Sequence, residues 1–237
     1  MMAVEPGDEI GHVHQDVSGG WLRPAVFGAM DGLVTNIGLI AGVGGSGAGA
    51  HLIVLTGTAG LVAGAFSMAL GEYVSVETQN DSVRAEVKVE HDELRRHPAA
   101  EQAELVASFV QMGLTRETAK QVAEEVHANP SLAVRVHINQ ELGVNPDEQP
   151  SPWVAAGSSF LCFAIGALIP LIPYLLGFAS LLTGLAAGAG GLLVAGAVSS
   201  RFTTRSWWLG GLRQVGFGAI AAVATYLVGA LIGAGAR

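Results

Sequence analysis

Five stretches of this chain run for about 20 residues with almost no charge, the length at which an α-helix crosses roughly 30 Å of hydrocarbon. They cover about 24–45, 52–76, 153–176, 178–200 and 211–233, and Asp31 and Glu72 are the only acids they contain. Glycine and alanine recur in all five. Small residues let helix backbones approach closely in lipid, where hydrophobicity does not drive helices together. A bundle of buried helices in a soluble protein is the competing reading. Only 14% of the residues are charged and the mean hydropathy is +0.46, which weighs against it; soluble domains carry about a quarter. The expected fold class is therefore an all-α integral membrane protein with five transmembrane helices. Pro170 and Pro173 are expected to disturb the third.

The remaining charge is concentrated in one place. Of 20 Asp and Glu, 14 fall between Glu77 and Glu148. The chain divides into a polar tail over 1–21, two spans within 22–77, an acidic insertion over 78–150, and three spans within 151–237. The insertion reads as helical, with stops before Pro98 and Pro130, a candidate cap at Thr115 and an end at Gly143. "VNPDEQPSP" then reads as a linker. Placing the N-terminus in the cytoplasm puts 11 of the 12 Lys and Arg there, leaving only Arg237 outside. Charges in the long insertion count for less, but the 201–213 loop alone gives the same orientation. The net charge of −8 argues against a nucleic-acid partner. The first 20 residues show no apolar core of a signal peptide. Cys162 reads as a small packing residue. His12 and His14 read as part of a disordered tail, and "TTRSWW" at 203–208 as an interfacial anchor.

An aspartate at the centre of a span costs roughly 2.5 to 3.5 kcal/mol on insertion scales, so it belongs where water, a partner or an ion meets it. Asp31 has Thr35 on its face and Asn36 close by. Met68 and Glu72 are i and i+4 on the second span, a thioether above a carboxylate. That mixed pair tilts the choice toward transition metals. The alternatives are a packing or lipid-facing Met68 and a Glu72 near the interface. In the insertion, Glu86, Glu90, Glu93 and His97 share a helical stripe. Glu101 and Glu104 are i and i+3, and His137 and Glu141 are i and i+4. A divalent cation would relieve the repulsion among these acids, and carboxylates with imidazole suit Fe2+, Mn2+ or Zn2+. From spacing alone, a solvated acidic face balanced by Lys88, Arg95 and Arg96 is the better reading. The Glu-x-x-His pairs of di-iron bundles are absent, which argues against a ferroxidase.

"DGLVTNIGLIAGV", "AGAFSMALGEYVSV", the acidic helical insertion and "GALIPLIPYLL", in that order, resemble the vacuolar iron transporter family from about residue 22 onward. The resemblance implies a homodimeric carrier that moves Fe2+, and often Mn2+, out of the cytosol in exchange for protons, along a path lined by the first two helices. It places the path aspartate on Asp31 and the path methionine on Met68. It assigns metal-collecting glutamates to Glu90, Glu93, Glu101, Glu104 and Glu141. Two positions depart from it. Gly60 stands where vacuolar members carry a carboxylate, leaving the equivalence of Glu72 open. His137 and Ile138 replace a methionine pair, which makes the site harder and more accepting of Mn2+ or Zn2+.

These readings converge on a multi-pass exporter in the cell membrane, with divalent metals and protons as its ligands, lipid around it and a second copy as partner. The candidate path is Asp31, Met68 and Glu72. The candidate metal ligands are Glu86, Glu90, Glu93, Glu101, Glu104, His137 and Glu141. Metals enter as substrate, and no cofactor is implied. The rival is a membrane-anchored metal sensor or store without transport; a purely structural membrane protein comes next. No nucleophile, base and open metal position suggest an enzyme.

Overall fold

The computed structural model describes residues 20–202 and 206–235, and the regular elements among them are all helical. Most of the polar tail, with His12 and His14, and also Arg205 and Arg237, lie outside the described residues. In chain order the helices are α1 (Leu22–Gly45), α2 (Ala50–Arg96), α3 (Pro98–Gln111), α4 (Arg116–His127), α5 (Pro130–Leu142), α6 (Pro152–Leu168), α7 (Ile172–Leu175), α8 (Leu181–Ser199) and α9 (Trp207–Gly235). Five helical stretches are long and apolar enough to cross a membrane: α1, α2, α6 continued through α7, α8 and α9. Prolines lack the N–H that a helix interior needs. Accordingly, the third span tightens into a 3-10 turn at Ile169–Leu171 between α6 and α7.

Helix α1 is the hub and packs on α2, α6, α8 and α9. Glycine makes this possible. Gly28 and Gly32 lie against the main chain of Ser159 and Phe163 in α6, and Gly42 lies against Gly229 in α9. A side chain at Gly28, Gly32 or Gly229 would collide with backbone. Between the glycines, Leu33 and Ile37 pack on Leu192, and Ile40 packs on Ile53, Leu171 and Tyr174. The outer faces carry exposed Phe27, Leu55, Leu70, Leu182 and Leu231, as a lipid-facing surface requires.

Sequence reading ends the second span near Val76 and opens a separate insertion at residue 78. The structure runs through that boundary without a break. Helix α2 has 47 residues, or about 70 Å of helix, more than twice the hydrocarbon thickness. The reason is local: no Gly or Pro occurs between Tyr73 and Arg96, and the first stop is Pro98. One rod therefore crosses the apolar layer and then forms a wall of the insertion.

Helices α3, α4 and α5, each 14 residues or fewer, are too short to span. They fold around their own core of Leu105, Phe109, Ala119, Ala123, Val126 and Ala133, with Leu94 of α2 packed against it. Thr115 caps α4 by accepting from the Thr118 N–H at 3.3 Å. Asn129 caps α5 by accepting from Ser131 and Leu132. Gly143 ends α5 at φ 66°, a left-handed conformation that favours glycine. The buried Asn80 donates to the Pro150 carbonyl at 3.0 Å, tying the returning linker to α2.

The aromatic residues mark a level. Trp21 precedes α1, Trp153 opens α6, and Trp207 and Trp208 open α9. The alternating direction of the spans puts all of these at the insertion's end of the bundle. The Tyr73 ring of α2 packs on Trp153 at 4.7 Å between centroids. Such rings favour the headgroup region, which sets Tyr73 at the membrane boundary.

Candidate metal centre

Helix α2 carries Glu90 past the boundary and turns it under α3 and α5. There it meets Glu101 from the first turn of α3, and His137 and Glu141, one turn apart on α5. One donor atom from each of these four residues lies within 4.8 Å of all the others. His137 is at the centre: its Nδ1 is 3.3 Å from Glu90, 3.6 Å from Glu101 and 3.7 Å from Glu141. The His137 side chain is 2% exposed and that of Glu90 is 8% exposed. Glu90 Oε1 is fully buried yet accepts no hydrogen bond.

The electrostatics follow from crowding acids under cover. Burial, then repulsion from Glu141, Glu101, Glu104 and Glu93, pushes the Glu90 carboxyl from 4.5 to about 7. Glu101 is also pushed up, chiefly by burial, which outweighs the attraction of His137. A group of acids that would rather hold protons than stand charged together is one that a cation would discharge.

The other predicted ligands stand outside this group of four. Glu104 is exposed at the rim, lining a cavity of about 380 Å³ with His137 and Glu141. Glu93 turns to His97 at 3.8 Å. Glu86 is exposed on α2. The stripe expected on one helix thus contributes a single residue, because the site is assembled across three helices. His127, at the end of α4, is a residue that sequence reasoning misses: its Nε2 is 3.1 Å from His137 Nε2. It lies ten residues before His137 with Pro130 between them, so no helical spacing relates the two.

Within the bundle, Asp31 is half-buried and accepts from Thr35 Oγ1 at 3.2 Å. Met68 is half-buried against Ala65, Phe163 and Ala167. Glu72 is half-buried and directly precedes the boundary residue Tyr73. No hydrogen bond or ion pair joins Asp31 to Glu72 among the described residues. Asn36 is fully buried, donates to the Ala167 carbonyl, and leaves Oδ1 unsatisfied. A Cβ on Gly60 would lie 3.8 Å from that oxygen. An amide therefore supplies the polar atom beside that glycine.

A sequence profile of the VIT family matches residues 22–230. The chain belongs to the VIT family. It is similar to a vacuolar iron transporter of Acanthamoeba castellanii, 34% identical over 228 residues that cover 93% of this chain and 83% of the relative. It is also similar to vacuolar iron transporter 1 of Oryza sativa subsp. japonica, at 32% over 217 residues covering 88% and 84%. A third relative is vacuolar iron transporter 1 of Tulipa gesneriana, at 31% over 208 residues covering 86% and 84%.

The donor set of this VIT family chain fits a first-row divalent ion. Three carboxylates and one imidazole offer hard oxygen and borderline nitrogen, which suit Fe2+, Mn2+ or Zn2+. Ligand bonds of about 2.1 Å hold opposed donors no more than about 4.2 Å apart, and His137 Nδ1 already lies within that distance of all three carboxylates. The buried, unsatisfied Glu90 oxygen is the atom that such an ion would satisfy.

Proposed function

We propose that this VIT family chain carries Fe2+, and also Mn2+, out of the cytosol in exchange for protons. The convergence of Glu90, Glu101, His137 and Glu141 from three helices on one point is the observation that carries the reading. The insertion and the N-terminus lie on the cytoplasmic side, where the basic loop at 201–213 also belongs. The centre collects the ion there, and the ion displaces the protons that burial holds on Glu90 and Glu101. The continuous α2 links the collecting site to the membrane half, where Met68 and Asp31 accept the ion in turn. Glu93 and Glu104, beside the centre, and Glu86 further along α2 raise the local concentration of cations. Protons arriving from the far side exchange for the metal and release it.

The carrier works as a homodimer with the path between two copies. The exposed row Leu55, Val62, Phe66 and Leu70 along one face of α2 supports this. The relatives' names place them at a vacuole, whereas the reading here is export across the cell membrane. Both acts remove metal from the cytosol.

The test is metal-driven proton flux in liposomes holding purified protein, compared across Fe2+, Mn2+, Co2+ and Zn2+ under a pH gradient. Coupled, saturable flux supports the carrier. Tight metal binding with no flux would return the chain to the sensing or storing reading.

A further inference from the structure

We propose that His127 is a positioning residue for the metal centre: its Nε2 accepts the Nε2–H of His137 and so aims the Nδ1 lone pair of His137 at Glu90, Glu101 and Glu141. The inference rests on the metal-collecting reading of that centre.

The distance comes first. The two Nε2 atoms are 3.1 Å apart, within hydrogen-bond range, and the carboxylates lie at the other ring nitrogen of His137, so an ion they hold does not sit between the two Nε2 atoms. The contact is therefore a hydrogen bond, in which one nitrogen donates and the other accepts. The three carboxylates decide the direction, because all of them face His137 Nδ1. If His137 donated from Nδ1 and accepted at Nε2, its lone pair would point away from the carboxylates. The ring would then have no electrons to offer an ion held by them.

With the proton on Nε2, the bond to His127 leaves the Nδ1 lone pair of His137 free for an ion held by the carboxylates. The ring need not turn, which matters because it is buried with its edge against the His127 ring, centroids 5.3 Å apart. A histidine ligand whose far nitrogen is hydrogen-bonded has its tautomer and ring orientation fixed, and loss of such a partner typically costs 10- to 100-fold in metal affinity.

The experiment uses full-length protein in detergent, with Co2+ as the probe, calorimetry for affinity and 15N-histidine NMR for the tautomer. E101Q is the control for the centre itself. Should it bind Co2+ with the affinity and stoichiometry of the unaltered chain, the metal centre fails, and the role of His127 with it. If E101Q loses the site, His127 is tested separately. H127F keeps an aromatic ring but accepts no hydrogen bond, and its affinity should fall by about 10-fold or more. H127Q places an acceptor oxygen near the lost nitrogen and should stay within about threefold of the unaltered chain. Wild-type affinity in H127F, or equal losses in H127F and H127Q, would overturn the proposal. The unaltered metal-loaded protein provides an independent test: its spectra should show the His137 proton on Nε2, and a proton on Nδ1 with Nε2 free would overturn the assignment whatever the variants do.

Discussion

The acids above the membrane boundary and the acid within the bundle are treated in opposite ways. At the insertion, two carboxylates and an imidazole are packed around the nearly buried Glu90. In the spans, Asp31 stands as a lone half-buried carboxylate with one hydroxyl beside it. The first arrangement suits capture, since several donors compete well for a dilute ion. The second suits passage, since an ion that moves on must be held weakly enough to leave. In the proposed carrier the same residue type would serve both ends, because packing, not chemistry, sets how many donors an ion meets at once.

The largest effect that would break this contrast is at Asp31. Asp31→Asn keeps the size and the Thr35 contact but removes the charge. Loss of one charge-assisted contact to the ion costs up to about 3 kcal/mol, which corresponds to roughly 100-fold in a rate. Flux in liposomes should fall by about that factor, while metal binding at the insertion stays intact. Normal flux in this variant would remove Asp31 from the path. Glu101→Gln is the complementary probe. It should weaken metal binding by at least about tenfold, yet leave the maximal flux at saturating metal close to normal. A variant that lowers the maximal rate without altering affinity would show that the insertion does more than collect.

How much of this is legible in the sequence differs between the two regions. The spans are legible because lipid imposes a length and an apolarity that a single sequence displays. All five apolar runs correspond to helices that meet those requirements. The short helices of the insertion are legible from Pro98, Thr115, Pro130 and Gly143, which are stop and start signals acting through neighbouring residues. The unbroken α2 escapes such a reading because a fall in hydropathy at residue 77 resembles a boundary, although nothing in the backbone chemistry ends the helix there. The centre is half legible. The sequence points to Glu90, Glu101, His137 and Glu141 together with Glu86, Glu93 and Glu104, but spacing along one helix cannot say which side chains turn toward another. His127 carries no local signal, since its partner lies across a helix break. Asn36 is marked in the sequence only as a neighbour of Asp31, and its burial against α6 depends on packing partners far away in sequence.

A moderate effect is expected from pH. Glu90 holds its proton up to about pH 7 in the folded insertion, against an ordinary value of 4.5. Between those values the folded state binds more protons than the unfolded one, so stability falls as pH rises through that window. Metal-free protein should therefore show faster hydrogen exchange in α3 and α5 at pH 8 than at pH 5.5. Adding Mn2+ should slow exchange most at the higher pH, where fewer protons compete with it. Glu90→Gln should flatten the metal-free pH dependence. Exchange that slows as pH rises, after correction for the intrinsic rate, would contradict the burial of Glu90 as a neutral acid.

The smallest effect is expected at Glu72, and it sharpens the contrast most finely. Sequence reading groups this carboxylate with Asp31 as an acid inside a span. It directly precedes Tyr73, whose ring packs on Trp153 where α6 begins. At that level a half-buried carboxylate can reach water and carries little of the insertion cost borne by Asp31. Glu72→Gln should therefore change flux by less than about twofold, or about 0.4 kcal/mol in the barrier. A loss as deep as that of Asp31→Asn would place Glu72 on the path as a second acid. The membrane half would then hold its ion between two helices, and the distinction between capture by many donors and passage past one would have to be redrawn.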